Sequence, residues 1–232
     1  MRNDVLRRGL LIGSFLLLGF GSAYAASLLD GGGALALSLL LGAMLLAMLI
    51  FSGRRDDPSF VTLTAVLTAL SVVGRIVLAP TAGFKPCTAM IIIAGMTLGA
   101  ESGFFCGTFT ALVSNIYFGQ GLWTLYQMFS WGLIGLVAGL VAALLRRHKP
   151  LLICYAAASG CIYSLLMDVF STLWEDGFFN PVRFIALTAT TVPYTISYAV
   201  SNVFFILLLG DRMIFSIERV KRRYGYDTKQ KE

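Results

Sequence analysis

Residues 87–118, with the sequence CTAMIIIAGMTLGAESGFFCGTFTALVSNIYF, are the most informative segment of this chain about its fold. It is apolar almost throughout, yet it is too long for one membrane-crossing helix, which needs about 20 such residues. The group GAESG (residues 99–103) interrupts it with two glycines and a carboxylate. This interruption predicts two shorter helices joined by a tight turn.

The rest of the chain has the same apolar character. Further apolar stretches of membrane-spanning length lie at about residues 9–28, 34–52, 59–79, 122–145, 151–173 and 184–210, which makes eight segments in all. Hydrophobic residues make up 57% of the 232 residues and charged residues only 13%, against roughly a quarter charged in a soluble domain. The composition predicts an all-α, polytopic membrane helical bundle. It excludes disorder, a disulfide-rich secreted scaffold and a nucleic-acid-binding role for the net charge of +6.

The basic residues predict the topology, because cytoplasmic loops of membrane proteins are enriched in Lys and Arg. Threading eight segments in order places every basic cluster on one side, and a sparse, mixed set of charges on the other. Both termini are therefore predicted to be cytoplasmic. The basic clusters comprise Arg2, Arg7, Arg8, Arg54, Arg55, Arg146, Arg147, Lys149, Arg212, Arg219, Lys221, Arg222 and Arg223.

The chain divides into three predicted regions. Residues 1–57 form an N-terminal hydrophobic hairpin or a signal-like extension, since three early arginines, an apolar run and Ala23-Tyr24-Ala25 resemble a cleavable signal peptide. Residues 58–212 form a six-helix core, and residues 213–232 form a basic cytoplasmic tail. Cleavage of the extension would leave the topology of the core unchanged.

The sequence offers no catalytic or metal-binding constellation. Its four cysteines are scattered along apolar segments without a CxxC pair, as expected of small buried hydrophobes. It contains neither a Walker motif nor HExxH, and its single histidine, His148, lies in a basic loop. We expect no enzyme activity and no cofactor or metal bound by this chain.

Charged residues inside membrane segments usually face a cavity or a partner. Arg75 and Asp168 lie at similar depths in the outward parts of their segments, which suggests an outward-opening polar cavity containing both. For Arg75, snorkelling to the headgroups is an alternative. Glu101 is expected in a cytoplasmic turn, as a solvated residue or at a helix start.

The predicted outer loops are rich in aromatic, amide and glycine residues. An interfacial aromatic belt would explain the tryptophans and tyrosines, but it gives no reason for the amides, so we predict a small-molecule site with a lid. The candidate substrate-binding residues are Arg75, Lys85, Asn115, Tyr117, Gln120, Trp123, Tyr126, Gln127, Trp131, Asp168, Trp174 and Asn180.

Small residues recur at helical spacing on two predicted helices. Ala65 and Ala69 form a small-xxx-small pair, and Gly132, Gly135 and Gly139 form a stripe. Such residues let membrane helices approach closely. The glycine stripe favours internal packing, whereas the alanine pair is compatible with packing or with docking to another membrane protein.

The stretch from about residue 60 to residue 210 resembles the substrate-binding S components of energy-coupling factor (ECF) transporters, the vitamin importers of bacteria. The resemblance is carried by AVLTA (65–69), KPCTAMI (85–91), GMTLGAESG (95–103) and LVSN (112–115). Its most specific part is FGQGLWT (118–124) with QMF-x-WGLIG (127–135), which is most similar to the cobalamin subgroup.

The resemblance implies a six-helix core in the bacterial plasma membrane that binds a vitamin from outside, with the loop at residues 80–86 over the pocket. It implies as partners a transmembrane coupling (T) subunit and two ABC-type ATPases, which would bind the ATP and Mg²⁺. Ala65 and Ala69 match the alanine pair that packs on the coupling subunit. The N-terminal pair of segments departs from the plain six-helix pattern.

The leading expectation is vitamin capture for ATP-driven import, with cobalamin or a related corrinoid as the first candidate. Two alternatives stay open: a stand-alone secondary transporter of a small organic solute, and a membrane assembly protein without transport activity. A secondary transporter would predict internal repeats and broken helices near the midplane, and the sequence shows no convincing repeat.

Overall fold

The computed structural model describes residues 58–223, so the predicted segments at residues 9–28 and 34–52 lie outside the described range. Within it, the chain is entirely helical apart from turns. The helices are α1 (Pro58–Val77), α2 (Cys87–Leu98), α3 (Ala100–Phe118), α4 (Trp123–Leu140), α5 (Ala142–Arg147), α6 (Lys149–Asp176) and α7 (Pro181–Arg223).

The interruption predicted within residues 87–118 is confirmed. Helix α2 ends at Leu98, and α3 begins at Ala100. Gly99 joins them with φ of 103°, a left-handed conformation that glycine adopts without the steric penalty of a Cβ. Glu101 lies in the first turn of α3, where the helix dipole favours a carboxylate.

Helix α2 is the centre of the bundle, because every one of its residues from Cys87 to Leu98 is buried. It packs against α1, α3, α4 and α7. Because α2 has no exposed face, its apolar side chains pack against other helices on all sides. The helices around α2 carry exposed apolar side chains on their outer faces, such as Val66 and Ile116, as expected of a bundle that faces lipid.

Glycines set the spacing of α2, α3 and α4, as the stripe on α4 predicts. A Cβ added to Gly103 would lie 2.1 Å from the carbonyl oxygen of Gly135, and one added to Gly135 would lie 2.1 Å from that of Gly103. A Cβ on Gly95 would lie 2.4 Å from the same Gly135 oxygen. The three backbones therefore meet without intervening side chains, which gives the close contact that holds helices together in lipid.

Two helix boundaries differ from the predicted ones. The predicted segment at residues 122–145 is two helices, since α4 ends at Leu140 and α5 begins at Ala142. Helix α7 continues to Arg223, well beyond residue 210, because helix-forming residues continue after the apolar run has ended. Its 43 residues correspond to roughly 65 Å at 1.5 Å per residue.

Within residues 58–223, two helices, α6 and α7, are long and apolar enough to cross a membrane by length and composition alone. Two further apolar stretches, Val61–Val77 and Cys87–Leu98, are shorter.

Basic side chains gather at one end of the bundle. Arg146 donates from Nε and Nη2 to the carbonyl oxygen of Met96, at 3.1 and 2.8 Å, and Lys221 donates to that of Thr97 at 3.0 Å. These carbonyls belong to the last turn of α2, where the helix leaves acceptors unpaired and its dipole favours cations. Lys149 pairs with Asp211 at the same end. The acidic end of α6, with Asp176, lies at the opposite end and pairs with Arg183.

Candidate functional site

A small enclosed cavity lies between the end of α1, the α1–α2 loop and helices α2, α4, α6 and α7. Its volume is about 30 Å³, room for on the order of two water molecules. Its lining combines two cations, an amide and three large aromatic rings. The lining residues are Arg75, Gly83, Lys85, Cys87, Thr88, Trp131, Gly160, Tyr163, Tyr198 and Asn202.

Arg75 is buried at the end of α1, with 8% of its surface exposed. Its Nη1 donates to the hydroxyl of Ser114 and to Oδ1 of Asn115, the latter at 2.7 Å. Its guanidinium lies over two aromatic rings, 4.4 Å from the centroid of Phe118 and 4.9 Å from that of Trp131. A buried cation needs such compensation, because removing it from water is costly. The guanidinium therefore faces the protein interior.

The expected joint cavity of Arg75 and Asp168 is not what the structure shows. Asp168 is buried, but its Oδ2 accepts a hydrogen bond from Thr191 at 2.9 Å, and it is not among the residues that line the cavity. No ion pair joins it to Arg75 within residues 58–223. Similar depth along two helices does not fix the direction in which each side chain leaves its helix.

Asn115 is the centre of a polar network beside the cavity. It is 1% exposed, and its Nδ2 donates to Thr124 Oγ1 at 2.9 Å and to Gln127 Oε1 at 2.7 Å. Gln127 in turn donates to the hydroxyl of Tyr163 at 3.0 Å. A chain of side-chain hydrogen bonds thus runs from Arg75 to Tyr163 and fixes the orientation of both. Three of the predicted residues (Arg75, Asn115 and Gln127) belong to it.

Aromatic rings form the opposite wall. Trp131 and Tyr163 stack with their centroids 5.0 Å apart and an interplanar angle of 9°, and Tyr198 meets Tyr163 edge-on at 5.3 Å. The indole Nε1 of Trp131 is buried without a hydrogen-bond partner among the described residues. Buried donors are normally paired, so this N–H is available to a ligand.

The loop between α1 and α2 closes the cavity from one side, and hydrogen bonds from α7 hold this loop in place. Ser197 donates to the carbonyl oxygen of Ala82 at 2.7 Å. Ser201, one helical turn further on, accepts from the backbone N–H of Lys85 at 2.8 Å and donates to its carbonyl oxygen at 2.9 Å. Gly83 has φ of 76°, and a Cβ there would lie 3.0 Å from the Ser197 hydroxyl. We call residues 78–86 the lid loop.

Lys85 brings the second positive charge to the cavity. Its Nζ lies 4.9 Å from the centroid of the Phe118 ring, the same ring that Arg75 covers. Partial burial, and then the nearby charge of Arg75, lower the pKa of Lys85 below its usual value. The two cations share a weakly screened environment in which a like charge is unfavourable.

Other predicted site residues lie away from the cavity. Tyr117, Trp123 and Trp174 are 62%, 43% and 58% exposed, and Tyr126 packs on Phe170 with centroids 4.6 Å apart. The exposed positions of Tyr117, Trp123 and Trp174 suit an interfacial aromatic belt, whereas Tyr126 is 7% exposed and belongs to the apolar core.

The remaining two predicted polar residues have local structural partners. Gln120 donates to the carbonyl oxygen of Leu112 and accepts from Thr124. Asn180 accepts from the backbone N–H groups of Val182 and Arg183 at 3.1 and 3.2 Å, as a residue that caps the start of α7 does. In neither case does the side chain line the cavity.

Sequence reasoning missed the contribution of α6 and α7. Tyr163, Tyr198 and Asn202 line the cavity, yet each sits within a long apolar segment. The available signal was the pattern of Ser197, Ser201 and Asn202, which places polar side chains at four- and five-residue spacing in an otherwise apolar segment. Gly160 allows the two helices to meet, since a Cβ there would lie 2.6 Å from the backbone nitrogen of Ala199.

A second, larger concavity is an apolar groove of about 590 Å³ between α1 and α3. Ala65 and Ala69 lie on it and are exposed, so the small-xxx-small pair forms part of a groove floor and does not pack against a described helix. The groove is lined by Val61, Thr64, Ala65, Thr68, Ala69, Val72, Val73, Phe105, Phe109 and Val113.

Comparison with known proteins gives one match. A family model described as "ECF transporter, substrate-specific component" matches residues 59–223, which is nearly the whole of the described range and well over half of the 232 residues. No curated protein and no solved structure matches the chain. The chain therefore belongs to the family of ECF transporter substrate-specific components, the membrane subunits that bind the transported substrate while partner subunits hydrolyse ATP.

Proposed function

We propose that this chain captures a vitamin at the outer face of the bacterial plasma membrane and releases it inward when an ECF complex moves. The observation that carries the proposal is the cavity at Arg75, which lies beneath a loop tied to α7 by two serines. Buried cations, an unpaired indole N–H and aromatic rings are the few precisely placed groups that a small-molecule site needs.

Cobalamin or a related corrinoid is the first candidate within this proposal. A cavity of about 30 Å³ is far below the 300–1,000 Å³ or so of typical ligand sites. Any vitamin, and a corrinoid most of all, therefore requires the lid loop and the outer helix ends to separate. The hydrogen bonds of Ser197 and Ser201 are the contacts that must break first.

Docking to the coupling subunit is proposed for the groove between α1 and α3. Ala65 and Ala69 line it and are exposed, and small residues let a partner helix approach closely in lipid. Replacing both with Phe should abolish assembly with the T subunit while vitamin binding persists. The matched control is Val66→Phe with Leu70→Phe, a pair with the same spacing that is exposed on α1 but outside the groove lining.

Two experiments test the proposal. The first is mass spectrometry of small molecules released from detergent-purified protein that was expressed with corrinoids and other vitamins available. The second is vitamin uptake in cells that coexpress the T subunit and both ATPases. A stoichiometric vitamin whose uptake requires ATP hydrolysis supports the proposal. Uptake that proceeds without the ATPases would instead show a stand-alone transporter, and no bound vitamin with no uptake would favour an assembly protein.

A further inference from the structure

The cavity has an unbalanced charge. Arg75 and Lys85 both line it, and none of the lining residues is acidic. The buried carboxylate on α6, Asp168, accepts from Thr191 and is not a lining residue. The two cations lie against one ring, 4.4 and 4.9 Å from the centroid of Phe118. An arrangement of two like charges in a poorly solvated site is relieved when an anion binds between them.

The donors of both cations are incompletely used. The two hydrogen bonds described for the Arg75 guanidinium both leave from Nη1, so Nε and Nη2 have no acceptor within residues 58–223. Lys85 uses its backbone N–H and carbonyl for the lid contact with Ser201, while its Nζ only faces the Phe118 ring. A guanidinium with free donors on two nitrogens matches the paired oxygens of a carboxylate or a phosphate.

The size of the cavity fits the same group. A volume of about 30 Å³, on the order of two waters, accommodates the oxygens of one carboxylate or phosphate but no vitamin ring. The cavity is therefore shaped for the charged end of a ligand, and the body of that ligand must occupy space that opens when the lid loop moves.

We propose that the transported vitamin carries an oxyanion, a carboxylate or a phosphate, which binds between Arg75 and Lys85 and also accepts a hydrogen bond from the Trp131 indole N–H. This inference rests on the proposed vitamin-binding function and narrows its substrate class. It excludes cationic vitamins, which the two positive charges would repel. Lys85 has a double role, because its backbone holds the lid to α7 while its side chain contacts the anion.

The test uses pairs of compounds that differ in the anion. Full-length protein in detergent is titrated by calorimetry with nicotinate and nicotinamide, biotin and biotinamide, and pantothenate and panthenol. Cobalamin is compared with cobinamide, which lacks the phosphodiester together with the ribose and base of the nucleotide loop, so this comparison supplements the other pairs. Thiamine is the cationic probe. For the pair that binds, we expect the anionic member to bind at least about tenfold more tightly, the effect of a hydrogen bond to a charged group.

Variants then test the contribution of Lys85 to this preference. Lys85→Met should reduce the anion preference at least about fivefold, and Lys85→Arg should retain it. Lys149→Met is the matched control, because it removes the same charge from an exposed lysine at the far end of α6, and it should leave the preference unchanged. Equal reductions in Lys85→Met and Lys149→Met would overturn the assignment to Lys85.

The outcomes separate this inference from the proposed function. A neutral or cationic vitamin that binds as tightly as any anionic one, and whose uptake depends on the ATPases, would overturn the anion inference and leave the transporter function standing. If no member of any pair binds and no vitamin is taken up, both are overturned. A carboxylate that binds while cobalamin does not would retain the inference and discard the corrinoid candidate.

Discussion

Ser201 is bonded to both backbone polar groups of Lys85, accepting from its N–H at 2.8 Å and donating to its carbonyl oxygen at 2.9 Å. One hydroxyl thus replaces the two partners that a strand or helix would offer this residue. Because Lys85 belongs to the lid loop and Ser201 to the middle of α7, this contact ties a loop to a helix that is 116 residues away in sequence.

Replacing Ser197 and Ser201 together with Ala should loosen the lid loop. The double variant loses three hydrogen bonds, each with a net contribution of about 0.5–1.5 kcal/mol. We expect ligand release to accelerate about tenfold or more, with faster amide exchange at residues 78–86. Ser216→Ala is the control, since Ser216 bonds only to the carbonyl of Arg212 on its own helix. Unchanged release in the double variant would show that the serines do not hold the lid.

Asn115→Asp should weaken anion binding strongly, and because it also removes the Nδ2 donors to Thr124 and Gln127, the thermal midpoint is measured beside the affinity. The new carboxylate would lie where Oδ1 is now 2.7 Å from Arg75 Nη1, and it would compete with the ligand for the guanidinium. We expect a loss of affinity of about thirtyfold or more, corresponding to the 2–5 kcal/mol range of a disrupted buried charge contact. Calorimetry with the preferred vitamin measures it.

The same substitution at another site provides the control. Asn180→Asp preserves the cap of α7, because Asp and Asn cap helix starts about equally well. The Asn180→Asp variant should bind the preferred vitamin with the same affinity as the unmodified protein. A large loss of affinity in Asn180→Asp would return that residue to the binding site, where the sequence analysis had placed it.

Gly135→Ala should destabilise the bundle strongly. The added methyl would lie 2.1 Å from the carbonyl oxygen of Gly103, and neither backbone can yield without separating α3 from α4. Overpacking of this kind costs about 1–3 kcal/mol, which for a chain of this length corresponds to a fall of the thermal midpoint in detergent by roughly 2–12 °C. Gly210→Ala is the matched control, since its nearest atom is 3.8 Å away, and it should shift the midpoint little or upward.

Anion affinity should decline as pH rises on the alkaline side. Burial and the charge of Arg75 lower the pKa of Lys85, so its ammonium loses a proton at a lower pH than an ordinary lysine does. A bound anion favours the charged form, so binding takes up a proton once the pH exceeds the pKa of the ligand-free protein. Lys85→Arg should remove this dependence, since arginine stays protonated. A flat profile in the unmodified protein would contradict the role of Lys85.

Glycines at particular positions made much of the fold predictable from the sequence. Gly99 marks the end of α2 because few other residues tolerate its backbone conformation, and the stripe on α4 packs as its spacing indicates. The break at Val141 was not predicted, because the nearby Gly139 belongs to the packing stripe on α4 and no proline marks the end of that helix. Hydropathy also could not predict the end of α7. It shows where a segment becomes polar, and a helix can continue beyond that point.

The candidate site was predictable only in part. Arg75 stood out because a charge in an apolar segment requires an explanation. Its partners could not be inferred in the same way, since Asn115 and Asp168 are both polar residues at a plausible depth. Tyr163 and Tyr198 carry no comparable signal, as aromatic residues are ordinary in apolar helices. Tertiary packing alone distinguishes a wall of the cavity from a lipid-facing ring.

Helix α7 carries the lid contact and the basic end of the bundle on one continuous rod. Ser201 holds the lid loop, and Lys221 contacts the last turn of α2; the 20 residues between them correspond to roughly 30 Å of helix. A tilt of about 10° about either point would carry the other through roughly 5 Å, more than the length of any hydrogen bond. A movement at the basic end of this one helix is thus enough to break the contact that holds the lid loop, about six turns away along the same helix.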